Sequence, residues 1–234
     1  MLSQLLTETH FYQVISLIEW QGDVVQVLLQ PTTSAPLKYQ AGQYIQLAYP
    51  SGNWLPLSIA NAPRADHIIE LHIRHRVEDI ETRELLLKLK INALVNLAGP
   101  FGHAVYRPQP DLPIILLAGG TGIAPLKALL EQATTLQDTR QWHLYWSVRA
   151  IKDFYLPPWQ SQLTVTETRL ISQPSLDKIE NMQVGYVHKV VIQDYPDLSG
   201  YQVYASGPVG MVLAAHQLLS VHGLPAGRFY SDMI

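Results

Sequence analysis

The chain contains no cysteine, which excludes disulfides, thiolate zinc sites, Cys-ligated iron–sulfur clusters and cysteine nucleophiles together. Charge is also scarce: 15% of residues are Asp, Glu, Lys or Arg, against roughly a quarter in an average soluble domain. Neither sign dominates, since 16 basic and 19 acidic side chains give a formal net charge of −3. Dividing the chain at residue 109 leaves 8 basic and 9 acidic residues before it and 8 and 10 after it. Neither half therefore carries the basic excess of a nucleic-acid binder. No apolar run approaches the about 18 residues of a membrane span, and residues 1–8 lack the basic and apolar regions of a secretory signal. A cytoplasmic chain with no nucleic-acid partner is the expectation. What is abundant is apolar side chain, 47% of 234 residues, enough for one large core or two smaller ones.

From residue 12 to about residue 107, short β-branched runs alternate with Gly, Pro and Asn. Residues 24–29, 44–48 and 68–74 read as strands of an antiparallel sheet or barrel. Residues 80–89 show apolar positions at helical spacing. A further strand is expected at 94–98, followed by a turn at Gly99-Pro100-Phe101-Gly102. Pro108, Pro110 and Pro113 then stiffen an extended connector, which divides the chain into domains 1–109 and 110–234.

Beyond the connector the pattern changes. Residues 114–118 form a continuous apolar run, as in a parallel strand buried on both faces. A glycine loop follows, then a helix at 126–137, a strand at 142–147, an interruption at Pro157-Pro158 and a strand at 163–171. A helix at 184–194, a strand at 201–205 and a helix at 211–221 complete the series. Strands alternating with helices specify a parallel α/β sheet.

Chemistry concentrates at two strand-to-helix junctions. The first is Gly119-Gly120-Thr121-Gly122-Ile123-Ala124-Pro125, where a buried strand runs through a glycine turn into a helix with Pro125 in its first turn. Backbone without side chains approaches a ligand closely, and a helix N-terminus offers free N–H groups and a positive dipole end to phosphate. A Walker loop is excluded because Pro125-Leu126-Lys127-Ala128 replaces Gly-Lys-Ser/Thr, and G-x-G-x-x-G fails because Pro125 stands where its last glycine belongs. The second junction, Ser206-Gly207-Pro208-Val209-Gly210-Met211, falls on the same C-terminal sheet edge, where α/β proteins bind ligands. Taken alone, each junction is also compatible with a plain tight turn. His72 and His75, at odd separation on a strand, point to opposite faces and do not suit joint metal ligation.

With Trp54-Leu55-Pro56-Leu57-Ser58 and Tyr145-Trp146-Ser147-Val148-Arg149 added, five blocks stand in an order that resembles the ferredoxin–NADP reductase superfamily, most closely its NAD(P)H-flavin reductases. The resemblance covers essentially the whole chain. It implies a flavin-binding antiparallel β-barrel followed by a parallel-sheet domain for NADH or NADPH. It also implies hydride transfer to FAD, FMN or riboflavin, held or passing through as a substrate. By the same resemblance Ser58 faces the reactive edge of the flavin, Pro56 and Leu57 line the ring, and Gly119 to Pro125 hold the nucleotide pyrophosphate. Gly207, Pro208 and Met211 admit the nicotinamide, and Ser147 and Arg149 meet the adenosine end. Tyr230 is either a ring neighbour or core of a last strand.

The chain departs from the family at Leu55, where an arginine normally contacts the polar tail of the flavin. Arg64, Arg74 and Arg76 stand as substitutes or as solvated charges. Three activities remain open: a reductase of diffusible flavin, a flavin-containing component passing electrons to an oxygenase or a deoxysugar-pathway enzyme, and a binder without turnover.

Overall fold

A computed structural model describes residues 9–49, 51–76, 78–157, 159, 163–173 and 183–234. Pro158 of the expected interruption and residues 1–8 lie outside them. Six strands form the first sheet: β1 (Thr9–Trp20), β2 (Val24–Pro31), β3 (Tyr44–Ala48), β4 (Trp54–Ser58), β5 (Ile69–Arg74) and β6 (Leu94–Phe101). Their order is β4-β3-β6-β1-β2-β5, antiparallel throughout. The two edges meet where the chain leaves β4. Ile59 bridges Leu71, and the Ala60 N–H donates to the Glu70 carbonyl at 2.8 Å. A sheet closed this way has little free edge.

Alternation along β5 shows how the barrel is filled. Ile69, Leu71 and Ile73 join Tyr12, Val14, Leu29, Ile45 and Leu97 in one buried cluster. Successive strand side chains point to opposite faces, so Glu70, His72 and Arg74 stand outside it. Helix α1 (Ile80–Lys88) is capped by Asp79, whose carboxylate accepts from the Thr82 N–H at 3.1 Å, and it delivers Leu85 to the barrel core.

The second sheet contains β7 (Ile114–Gly119), β8 (Trp142–Val148), β9 (Val165–Ile171), β10 (Gln183–Val184), β11 (Gln202–Ser206) and β12 (Phe229–Tyr230). Its order is β10-β9-β8-β7-β11-β12, parallel throughout. All six residues of β7 are buried because both faces are covered. Leu116 and Ala118 pack with helix α2 (Ile123–Thr135) on one side. Ile115 and Leu117 pack with α3 (Val187–Asp194) and α4 (Val209–Val221) on the other. The α2 cluster also takes in Val24 and Ala41, so α2 lies between the sheet and the barrel.

Three expectations need correction. The turn expected at Gly99–Gly102 is strand through Phe101, which pairs with Tyr44. The helix expected from 184 starts at Val187, because Val184 pairs with Ile171 and Gly185 sits at φ 146°. Helix α2 begins at Ile123, three residues ahead of the expected start, since Pro125 fits a first turn. Strand β1, twelve residues long, was not delimited from the sequence.

Candidate functional site

Both glycine junctions lie at the C-terminal ends of adjacent parallel strands. β7 and β11 are paired with Ala118 opposite Ser206, so the loops that follow them touch. A Cβ on Gly122 would lie 2.1 Å from the Ser206 carbonyl oxygen, and one on Gly207, at φ 150°, would lie 2.8 Å from the Gly119 Cα. A Cβ on Gly119 would meet Met211 and Pro208 at 2.7 Å. Gly122 and Gly207 let backbone pack on backbone, and Gly119 makes room for the Met211 and Pro208 side chains. Gly120 differs: its φ is 56°, and the nearest atom to a Cβ there would be Nη1 of Arg74, at 3.3 Å. Its carbonyl accepts a 2.9 Å bond from the Trp146 indole N–H, and the Arg169 guanidinium packs 5.1 Å over that indole.

A cleft of about 730 Å³ opens over these loops, between the sheet edge and the outer face of the barrel. That volume lies within the range of small-molecule sites. Arg74, Arg76, Arg149 and Lys189 line it, and among the described lining residues there is no Asp or Glu. Nε and Nη2 of Arg74 are buried without a hydrogen-bond partner, a costly condition for a charged group unless an anion completes it. His188 presents a second buried orphan, Nδ1; burial, followed by the Lys189 charge, lowers its pKa. Neither α2 nor α4 has a side-chain cap on its N-terminus. In α2 the Ile123 N–H is taken by the Gly120 and Thr121 carbonyls and Pro125 has none, so α2 brings its positive dipole end to this region and α4 brings both a dipole end and first-turn N–H groups. The donor set fits a phosphorylated nucleotide.

A second cavity of about 500 Å³ lies behind the first. Pro56, Leu57, Ser58, Ser206 and Met233 line both, so β4 forms a common wall. Tyr44 and Gln46 of β3, Leu126 and Leu129 of α2, and Tyr204 and Tyr230 enclose the second cavity. Tyr230 is held by Tyr204, at 4.7 Å between ring centroids, and by Arg107, 4.8 Å over its ring. The C-terminal segment is tied to the barrel by Asp232, whose Oδ1 accepts from the backbone N–H of His103 (2.7 Å) and Ala104 (3.1 Å). Aromatic and aliphatic walls with few polar groups fit a flat heteroaromatic ring.

The first cleft gathers Pro56, Leu57, Ser58, Gly119, Gly120, Thr121, Gly122, Ala124, Ser147, Arg149, Gly207, Pro208 and Met211. Pro125 and Tyr230 fall on the second cavity. Ile123 reaches neither; its side chain is buried in the α2 core. Tyr230 belongs to strand β12 and also lines the second cavity. Sequence reasoning left Arg74 open between a solvated charge and a substitute cation, and the structure puts its guanidinium inside the cleft. The signal was the alternation Glu70, His72, Arg74 against Ile69, Leu71, Ile73.

Residues 15–106 match the family model described as the oxidoreductase FAD-binding domain, and residues 116–217 match the oxidoreductase NAD-binding domain. The chain is 36% identical over 225 residues to the CDP-6-deoxy-L-threo-D-glycero-4-hexulose-3-dehydrase reductase of Yersinia pseudotuberculosis, covering 92% of this chain and 66% of that protein. The chain thus spans about two thirds of the length of that relative. It is 31% identical to a probable flavin reductase of Photobacterium leiognathi, covering 83% of this chain and 86% of the other. Among solved structures, the Amycolatopsis cytochrome P450 reductase GcoB superposes with a TM-score of 0.84 at 26% identity, covering 95% of this chain and 68% of that one. With both halves matched and a relative of similar length aligned, the chain belongs to the ferredoxin–NADP reductase superfamily.

Proposed function

We propose that this chain is an NAD(P)H:flavin oxidoreductase that takes flavin as a diffusible substrate, with residues 1–109 forming the flavin half and 110–234 the nucleotide half. The observation that carries this reading is the shared wall: a cationic cleft and an aromatic-walled cavity meet at Pro56, Leu57 and Ser58. When bound together, the two substrates supply the chemistry themselves, a hydride leaving the reduced nicotinamide for the flavin. The protein's part is binding and orientation. Arg74, Arg149, the first-turn N–H groups of α4 and the positive dipole ends of α2 and α4 hold the nucleotide phosphates, and Gly120 keeps the cleft floor open. Gly207, Pro208 and Met211 bound the place where the nicotinamide lies. Tyr230, Pro56 and Leu57 flank the flavin ring, and the Ser58 hydroxyl supplies a hydrogen bond at its reactive edge. A cytoplasmic location fits these substrates.

Leu55 favours loose flavin, because no cation stands at that position of β4 to grip the flavin's phosphate. The test is oxidation of NADH and NADPH by dialysed protein with and without riboflavin, FMN or FAD, followed by the coenzyme's near-ultraviolet absorbance. Turnover that saturates with added flavin supports the reading, and absence of turnover with all three refutes it.

The similarity to the Yersinia reductase favours a second reading, in which flavin stays bound and electrons pass to a protein partner such as an oxygenase or a deoxysugar-pathway enzyme. With no cysteine in this chain, any Cys-ligated iron–sulfur centre in that route would lie on another polypeptide. Protein that stays yellow after dialysis, and reduces its flavin without releasing it, would support the second reading over the first.

A further inference from the structure

Away from the cleft loops, the barrel and α2 meet in a partly buried cluster of charged groups that hydride transfer does not use. Lys127, in α2, donates from Nζ to Glu70 Oε2 at 3.1 Å, to Glu131 Oε1 at 2.5 Å and to the Ala60 carbonyl at 3.1 Å. Glu131 turns its other oxygen, Oε2, to the Ala62 N–H at 3.0 Å. Glu70, on β5, also accepts from Gln26 at 2.9 Å and from His72 Nε2 at 2.8 Å. His72 Nδ1 then takes the Tyr155 hydroxyl at 3.1 Å, while Trp20 packs against both rings. The side chains of Glu70 and Lys127 are 9% and 16% exposed.

Burial opposes the charge on Glu70, but the His72 hydrogen bond and the Lys127 charge outweigh it and hold its pKa near about 2. Burial lowers the pKa of His72. A neutral ring that donates from Nε2 to a carboxylate accepts at Nδ1, so both nitrogens of His72, both oxygens of Glu70 and of Glu131, and all three Lys127 N–H groups have partners.

Each tie lands next to the site. Ala60 and Ala62 follow Ser58 by two and four residues. Glu70 and His72 lead into Arg74, and Lys127 sits five residues beyond Gly122 on the helix that the glycine loop opens. We propose that Lys127 is a positioning residue, one cation that fixes the glycine loop of the sheet against the Ser58 wall of the barrel and so sets the gap across which the hydride passes. The proposal rests on the flavin reductase reading above. Reacting atoms must lie about 3–3.5 Å apart, and a misplacement of about 1 Å costs on the order of a hundredfold in rate.

The test uses Lys127→Met, Lys127→Arg and the double variant Lys127→Met with Glu131→Gln. The Gln keeps an oxygen for the Ala62 N–H and removes one of the two carboxylates left facing each other. Because the chain has no cysteine, Ser34→Cys and Gln217→Cys, at exposed positions in the two halves, allow spin labels to report the interdomain distance. Lys127→Met should lower kcat about tenfold or more, raise the deuterium isotope effect with 4-deuterated coenzyme, and broaden the distance distribution. Lys127→Arg should restore all three readings. The double variant should regain thermal stability but not kcat. A distribution as narrow as the native one overturns the proposal, as does recovery of kcat together with stability in the double variant. If the native chain shows no flavin-dependent turnover, the reductase reading fails by itself, and the distance distributions still decide whether Lys127 fixes the two halves.

Discussion

Replacing Gly122 with alanine separates local propensity from close approach. The residue sits at φ −59° and ψ −10°, a helical conformation open to any residue, where the 3-10 turn meets α2, so alanine would gain at most about 1 kcal/mol over glycine, the value for a helix interior. The added Cβ, however, would stand 2.1 Å from the Ser206 carbonyl oxygen, 2.4 Å from its carbon and 2.7 Å from the Gly207 nitrogen. A relaxed C···O approach is about 3.3 Å, so the β7 and β11 loops would have to part by about 1.2 Å. All three neighbours are backbone, and no flexible side chain can yield. Overpacking of this kind costs about 1–3 kcal/mol, more than the propensity returns, and each net kcal/mol lowers Tm by about 2–4 °C in a chain of this size. The same displacement moves the cleft floor, for which about a hundredfold loss in kcat/KM is expected. Urea unfolding and steady-state coenzyme oxidation read the two effects. Gly210→Ala is the matched control for stability, since a Cβ there meets nothing within 4 Å in the first turn of α4, and it should stabilise by up to about 1 kcal/mol. Gly122→Ala protein as stable as its parent, with unchanged kcat/KM, would refute the close-contact argument.

Ser58→Ala should lower kcat and kcat/KM together by about tenfold, the signature of a hydrogen bond strengthened at the transition state; unchanged turnover would remove Ser58 from the mechanism. Arg74→Gln should raise the KM for phosphate-bearing ligands by about ten- to a hundredfold while leaving riboflavin unaffected, and the loss should shrink in high salt. An equal rise for riboflavin would show that Arg74 shapes the cavity and does not hold an anion. Glu70, whose ordinary pKa of 4.5 falls to about 2 in the fold, contributes stability that is present above about 4.5 and is lost as pH falls toward 2, worth about 3 kcal/mol. Glu70→Gln should flatten that limb of a plot of urea midpoint against pH, and an unaltered acid limb would deny the depressed value.

The parts of this fold legible in the sequence are those where one chemical environment dictates the pattern. Residues 114–118 read as a doubly buried strand because no polar side chain could stand on either face, and β7 is buried throughout. The glycine junctions were legible because a strand running into a helix through Gly119–Gly122 has few backbone solutions. β1 escaped because only Tyr12 and Val14 of its twelve residues are fully buried, so its alternation is diluted. The strand that Gly99–Gly102 extends was hidden by composition: Gly and Pro signal a turn locally, and only pairing with β3 holds Phe101 in the sheet. Most instructive is β5, whose polar face of Glu70, His72 and Arg74 has the pattern of a solvated strand. Its burial comes from α2 and the segment around Tyr155, more than fifty residues away in the chain, which local periodicity does not report.

Net charge hides the site for the same reason. Each half is nearly balanced, yet Arg74 and Arg76 from the barrel converge with Arg149, after β8, and Lys189, in α3, on one cleft. The cleft walls focus that field on a bound anion, and the two helix N-termini add to it. The compensating carboxylates are engaged elsewhere: Glu70 and Glu131 on Lys127, and Asp232 on the backbone of His103 and Ala104. The result divides recognition between the cavities. On the proposed reading, phosphate would be met by fixed cations and backbone N–H groups in the cleft, and a ring by Tyr230, Pro56 and Leu57 in the adjoining cavity. Ser58 belongs to both, and among the described residues that line both cavities there is no acid or base of shifted pKa. Hydride transfer between two organic ligands asks for none, so on the proposed reading a serine hydroxyl and a fixed distance would be sufficient, and the residues that set the distance would matter as much as those that touch the ligands.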